Sequence, residues 1–209
     1  MRRILLAFGL LWLVGSCQTM SPEACQTADW RALGEVDGSA GATLSKYEAR
    51  QNDCAKVGIT PNFEAYSTGR QWGLQSFCQP ASGFRAGLSG YSYAGVCPAD
   101  LEGQFMLGFR DGAAAYQVKQ ALSSAESAVN SARSERDAIG EKITYFQNES
   151  RRQGATDEEK ATARRRVGEL EADMRRARDK IRDAESYRDR AGRNLDRARF
   201  DIGQRWGSW

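Results

Sequence analysis

The chain has 209 residues, with 30 Lys and Arg against 27 Asp and Glu, and it contains no histidine. The absence of histidine excludes the Ser-His-Asp and Cys-His arrangements of nucleophilic catalysis. The balanced charge gives no argument for nucleic-acid binding, because a phosphate backbone requires positive charge that neighbouring acids do not neutralise.

The beginning of the chain has the pattern of an export signal. Two basic residues, Arg2 and Arg3, precede an uninterrupted apolar run over residues 4–14. A basic flank before roughly 7–15 apolar residues is typical of a secretory signal peptide. A permanent membrane span requires about 20 apolar residues, so this run is too short to remain in the bilayer as a helix.

An aliphatic residue and two small residues precede Cys17, an order that resembles the lipobox of bacterial lipoproteins. The resemblance implies that residues 1–16 are a signal peptide and that the Cys17 thiol carries a covalent lipid. Two or more acyl chains hold a protein stably at a membrane. Gln18 stands where an aspartate would favour the inner membrane, so the expected location is the outer membrane, facing the periplasm. No cofactor other than this lipid is expected.

Four cysteines remain in the mature chain: Cys25, Cys54, Cys78 and Cys97. An even number of cysteines in an exported chain predicts a disulfide framework. A zinc site usually places cysteines two to four residues apart, and this spacing does not occur here, so no metal site is predicted. Three pairings are possible. Cys25–Cys54 with Cys78–Cys97 is favoured because each pair brackets one short segment.

Residues 17–97 are predicted to form a lipidated, disulfide-stapled head of short helices. The segment is rich in glycine, with turn signals such as "DGSAG" and "QPASG". Ser21 before Pro22, and Thr60 before Pro61, have the order of a helix N-cap and first turn. A domain of about 80 residues is marginal on its core alone, so we expect the disulfides to contribute to its stability.

Pairs of glycines four residues apart recur along the chain. They are Gly34 with Gly38, Gly69 with Gly73, and Gly108 with Gly112. One interpretation is a glycine-lined surface that receives a ligand or a partner. The other, which we favour, is that these glycines end short helices or let them pack closely.

Three segments, "EACQTADWRALGEVDGSAG", "GRQWGLQSFCQP" and "YAGVCPADLEGQF", carry a resemblance to a known family. They are similar to small proteobacterial cell-envelope lipoproteins of unknown function, over roughly residues 23–112. The shared motifs are Asp-Trp, Gly-x-x-Asp-Gly, Gly-Arg-x-x-Gly-Leu and Val-Cys-Pro. The resemblance implies an envelope location and a stapled domain, and it implies no known activity. Arg50 stands where this family often has a histidine, which argues against obligatory chemistry by that histidine.

The second part of the chain is far more charged than the first. From residue 121 onward it holds 20 Lys and Arg and 17 Asp and Glu, against ten of each before that point. Apolar residues there follow heptad spacing in two runs, 122–146 and 167–202. Residues 98–209 are therefore predicted to form a long antiparallel helical hairpin, a coiled coil, with its tip near residues 150–156.

The hairpin prediction fixes a register. Thr156 and Glu159 have capping-box spacing, so the second helix is expected to begin there. A turn centred on Gly154 predicts that Ile202 lies opposite Phe105. Parallel pairing between chains, and hence an oligomer through the coiled coil, is the alternative that the heptads leave open.

Two sets of residues in this arm are candidate partner contacts. Arg151, Arg152 and Gly154 lie at the predicted tip. Trp206 and Trp209 are expected to close an apolar cluster against the head or the hairpin base, with contact to the lipid interface as the alternative.

The favoured function is a non-enzymatic, membrane-anchored adaptor of the cell envelope, whose arm binds a protein partner in the periplasm. A binding or inhibitor module that uses the glycine-rich head is the alternative. A peptidoglycan-acting hydrolase is favoured least, since it would need a carboxylate pair. Asp29, Glu35 and Asp37 are the clustered acids that could supply one, and we assign no catalytic residue.

Overall fold

The fold is described here from a computed structural model, which covers residues 19–209. Within this range the chain is helical and has no strand, so the all-α prediction is confirmed. The helices are α1 (Pro22–Thr27), α2 (Trp30–Ser39), α3 (Ser45–Ala55), α4 (Phe63–Phe77), α5 (Pro80–Leu88), α6 (Ala99–Arg151) and α7 (Asp157–Trp206). The predicted signal peptide, 1–16, and the predicted lipidation site, Cys17, lie outside the described residues.

The described chain divides into two units. The first unit runs to Cys78 and includes residues 94–98, and the second contains residues 79–93 and 99–209. The boundary predicted from the sequence lies at residue 97, whereas here the segment 79–93 packs with the second unit. Disulfides join Cys25 to Cys54 and Cys78 to Cys97, which is the pairing that the sequence favoured.

Local capping determines where several helices begin. The Ser21 hydroxyl accepts a hydrogen bond from the Ala24 amide, as its position before Pro22 predicts. The prediction for α4 is wrong by two residues, because the Asn62 side chain, rather than Thr60, accepts the capping bond.

In the first unit, α2 and α4 pack with their backbones in direct contact. A Cβ atom added at Gly34 or at Gly38 would lie less than 3.0 Å from backbone atoms of α4. The reciprocal holds for Gly69 and Gly73, whose added Cβ atoms would meet the backbone of α2. Any larger residue at these four positions would therefore push the two helices apart.

The second unit repeats this construction with α5 and α6. Added Cβ atoms at Gly83 and Gly87 would meet the α6 backbone, and those at Gly108 and Gly112 would meet the α5 backbone. The segment "QPASG", which we predicted to be a turn, instead begins α5, with Pro80 in its first turn. The amide hydrogens of the first turn have no acceptor within the helix, and proline has no amide hydrogen. Proline therefore suits the start of a helix as well as a turn.

Helices α6 and α7 form the predicted hairpin within one chain. They contain 53 and 50 residues, so α6 is roughly 80 Å long at 1.5 Å per residue, and it is continuous through Gly108 and Gly112. The turn contains Gly154 at φ +80°. Heptad positions supply the buried residues along the pair, among them Ala125, Val129, Ala132, Ala177, Ala191 and Leu195.

The predicted register at the hairpin base is wrong. Ile202 packs with Ala115 and with Phe84 of α5, and it does not oppose Phe105. Phe105 is fully buried against the Tyr93 ring, with 4.7 Å between ring centroids. The segment 79–93 thus covers the first turns of α6, a place that the symmetric hairpin had assigned to α7.

The close packing of α5 on α6 predicts opposite effects for the same substitution at two glycines. Gly108→Ala should lower the free energy of unfolding by about 1–3 kcal/mol, because its methyl group would overlap the Pro80 carbonyl. Gly192→Ala in α7 should raise it by up to about 1 kcal/mol, because the space there is open and alanine favours a helix. Urea denaturation measures both, and equal effects would contradict the packing.

Candidate functional site

The first unit buries a charged cluster around Asp37. This carboxylate is 0% exposed, and it lies in α2 between Gly34 and Gly38. The Arg50 guanidinium of α3 donates to both carboxylate oxygens, with Nη2 at 3.1 Å from Oδ1. The Tyr66 hydroxyl of α4 donates to Oδ2 at 2.8 Å. One carboxylate therefore links three helices.

The protonation of this cluster follows from its contacts. Burial raises the pKa of Asp37, but hydrogen bonds from Arg50 and Tyr66, with the positive charges of Arg50 and Lys46, outweigh it and hold the pKa below its ordinary value. Burial and the bond to the Asp37 carboxylate raise the pKa of Tyr66 to about 12. Asp37 is thus a paired carboxylate at neutral pH, and Tyr66 stays a phenol.

The three acids that could have supplied a carboxylate pair have separate surroundings. Asp29 is the N-cap of α2, where its side chain accepts a hydrogen bond from the Ala32 amide at 3.0 Å. Glu35 is exposed, whereas Asp37 is buried with both oxygens bonded. A general acid or base must reach a proton of the substrate. The Asp37 carboxylate is buried and accepts hydrogen bonds at both oxygens, so it does not meet this requirement.

The glycine pairs do not line a ligand surface. In each unit their open sides are filled by the backbone of the partner helix, as the added Cβ positions show. The interpretation of these glycines as helix-packing residues therefore holds for all three pairs found in the sequence. The sequence analysis missed Gly83 and Gly87, although their spacing of four residues is the same signal.

Two further findings bear on what residues 19–209 could hold. In this part of the chain, no group of three or more His, Cys, Asp or Glu side chains is arranged to bind a metal ion. None of its helices has an apolar stretch long enough to cross a bilayer.

The hairpin tip combines a turn held by ion pairs and a capping box with an open cleft. Arg151 is exposed at the end of α6, and Arg152 bridges the turn through ion pairs with Glu149 at 3.0 Å and Glu159 at 3.6 Å. Thr156 and Glu159 form the predicted capping box at the start of α7. Both helix ends are thus fixed around the turn.

Beside this turn lies a cleft of about 350 Å³, here called the tip cleft. Its lining includes Tyr145, Phe146, Glu149, Arg152, Glu158 and Glu159. Tyr145 is 59% exposed, and its ring meets the Phe146 ring edge-on at 5.1 Å. The sequence analysis missed Tyr145, although an aromatic residue outside the heptad positions of an exposed helix was a usable signal.

The C-terminal tryptophans lie at the other end of the hairpin. The Trp206 ring stacks on Phe84 with 5.0 Å between centroids, and its Nε1 donates to Asp111 Oδ2 at 2.8 Å. Arg205 donates to both Asp111 oxygens at 3.0 Å. Trp209 packs against the same apolar cluster. This is an apolar cluster of the kind that we expected against the head or the hairpin base, and it gives these tryptophans a structural role.

The buried pair predicts a large effect of neutralising Asp37. Asp37→Asn should lower the free energy of unfolding by about 3–5 kcal/mol at neutral pH, because it leaves the Arg50 charge buried without a counter-charge. Glu35→Gln, two residues earlier in α2 and exposed, should change it by no more than about 0.5 kcal/mol. Thermal or urea unfolding measures both. An Asp37→Asn protein as stable as Glu35→Gln would show that the pair contributes little.

Tyr66 predicts a loss of stability in alkali. Because its pKa is raised in the folded state, its contribution is complete below about pH 10, the ordinary tyrosine value, and is lost as the pH rises towards about 12. Tyr66→Phe should be less stable at neutral pH, but its free energy of unfolding should fall less steeply between about pH 10 and pH 12. Tyr187→Phe, which removes a 49% exposed tyrosine, should leave the wild-type dependence unchanged. Unfolding in denaturant at a series of pH values tests this.

Comparison with known proteins places part of this architecture in a family. No curated protein and no solved structure matches the chain. The segment 29–114 begins at the N-cap of α2, contains both sets of packed glycines and the Asp37 cluster, and ends within α6. This segment matches the family model DUF2799, described as a protein of unknown function, so the chain carries a DUF2799 domain over residues 29–114.

Proposed function

We propose that this protein is a lipid-anchored adaptor of the cell envelope, whose hairpin tip binds a protein partner in the periplasm. The lipobox-like order before Cys17 supports acylation at that residue, and Gln18 supports the outer membrane as its destination. The observation that carries the binding role is the tip cleft with its exposed Tyr145.

The chemistry of the tip cleft defines the partner. Tyrosine is enriched at interfaces because its ring buries apolar area while its hydroxyl keeps a hydrogen bond. Three glutamates and one arginine line the cleft, and Arg152 already pairs with Glu149 and Glu159. Glu158 therefore gives the edge of the cleft a negative charge, here called the acidic rim. It lies in the same cleft as the rings of Tyr145 and Phe146. A segment with an apolar residue next to a lysine or arginine fits this combination.

The alternatives draw less support from the same residues. The glycines of the head are occupied by helix packing, which removes the surface that a head-centred binding module would have used. The Asp37 carboxylate is committed to Arg50 and Tyr66 inside the first unit, which leaves a hydrolase without its best acid.

Site-specific crosslinking in cells tests this proposal. A photoreactive amino acid at position 145 should crosslink one protein partner after illumination, since this position is exposed in the tip cleft. The same amino acid at position 187, which is an exposed tyrosine of α7 outside the cleft, is the matched control and should give no such product. Mass spectrometry of the crosslinked band identifies the partner.

A charge reversal shows whether the crosslink depends on the acidic rim. Glu158→Lys should abolish the product at position 145, because it would repel a basic partner segment. Glu171→Lys, an equal reversal elsewhere on α7, should leave it unchanged. A product that survives Glu158→Lys, or that forms equally at position 187, would overturn the assignment of the tip.

A further inference from the structure

The first residues that the structure describes are clamped to the first unit. The Thr19 backbone amide donates to Asp53 Oδ2 at 2.6 Å, and the Thr19 hydroxyl donates to the same oxygen at 2.8 Å. The Met20 amide reaches this oxygen at 3.3 Å. The Met20 side chain is 9% exposed and packs in the apolar cluster of Trp30, Tyr47 and Tyr66. The chain is thus fixed from Thr19 onward.

The same carboxylate holds a lysine beside this clamp. Lys56 Nζ donates to Asp53 Oδ1 at 2.7 Å, while Thr19 occupies the other oxygen. Hydrogen bonds from Lys56 and Thr19 hold the pKa of Asp53 far below its ordinary range, so the clamp persists at neutral pH. Because both groups bind one carboxylate, the Lys56 ammonium lies close to the Thr19 backbone.

The distance from this clamp to the anchor is short. Cys17 and Thr19 are two residues apart, so their Cα atoms are separated by at most roughly 7 Å. A flexible linker of ten residues would have a root-mean-square end-to-end distance of about 17 Å and could extend further. If Cys17 carries a lipid, only Gln18 separates the lipidated residue from the clamped chain.

From this we propose that the surface formed by Lys56 and Val57 at the end of α3 lies directly against the lipid headgroups. The proposal rests on acylation of Cys17, which belongs to the proposed function. Lys56 keeps 65% of its side chain exposed and can present its ammonium to phosphate groups. Val57, 42% exposed, supplies apolar area beside it. A lysine beside an apolar side chain suits a membrane interface.

Lysine reactivity in vesicles tests this contact. The full lipoprotein is reconstituted in vesicles of phosphatidylethanolamine and phosphatidylglycerol and is treated with a water-soluble amine reagent. Lys46 lies in the first turn of α3 and Lys56 follows its end, about 15 Å away along the helix, so Lys46 serves as the internal control. Relative to a non-lipidated protein that begins at Gln18, Lys56 should react several-fold more slowly and Lys46 at an unchanged rate.

A spacer variant distinguishes the effect of a short tether on Lys56 reactivity from the effect of the lipid itself. Inserting about ten Gly and Ser residues between Gln18 and Thr19 keeps the anchor but should restore the reactivity of Lys56 to its value in solution. Equal Lys56 reactivity with and without the spacer, or equal slowing of Lys46, would overturn the contact.

The anchor is checked separately in the same samples. Flotation with the vesicles, and the mass of the N-terminal peptide, report whether Cys17 is acylated. An unmodified Cys17 would overturn the anchor together with the contact that rests on it. An acylated protein with freely reactive Lys56 would overturn the contact alone and leave the adaptor proposal standing.

Discussion

Direct contact between helix backbones is the constraint on which both units depend. Ordinary helix packing separates the axes by 8–10 Å because side chains lie between them. Here glycines remove those side chains in α2 against α4 and again in α5 against α6. Four interior glycines in each unit cost on the order of 3–4 kcal/mol in helix propensity relative to alanine. Dispersion between the touching backbones and Cα–H···O contacts must offset that cost.

This close approach explains why a charged pair occupies the interior of the first unit. With glycine on the facing sides of α2 and α4, few apolar side chains are available between them, and small units have little core to spare. Asp37 compensates by joining Arg50 of α3 and Tyr66 of α4 through hydrogen bonds that also satisfy its charge. The Cys25–Cys54 disulfide ties α1 to the end of α3. Polar and covalent links thus do what a larger apolar core would do.

Features with a local cause could be read from the sequence. The capping box at Thr156, the heptads of α6 and α7 and the hairpin turn each follow from spacing within one segment. The identity of a packing partner could not be read in this way. Nothing local distinguishes Phe105 covered by α7 from Phe105 covered by Tyr93, and the pairing of Asp37 with Arg50 joins two helices through a fold that the spacing does not specify.

The end of the DUF2799 match coincides with the end of the close contacts between helix backbones. The match ends at residue 114, two residues after Gly112, which is the last glycine of α6 in contact with the α5 backbone. Along the hairpin, opposite charges on α6 and α7 form ion pairs, as between Arg133 and Glu185. Each helix therefore supplies counter-charges for the other. An arm of about 50 residues per helix is longer than its base requires, because Ile202 and Trp206 already close that end. Its length therefore fits the proposed role of the tip cleft, where the exposed Tyr145 and the acidic rim meet.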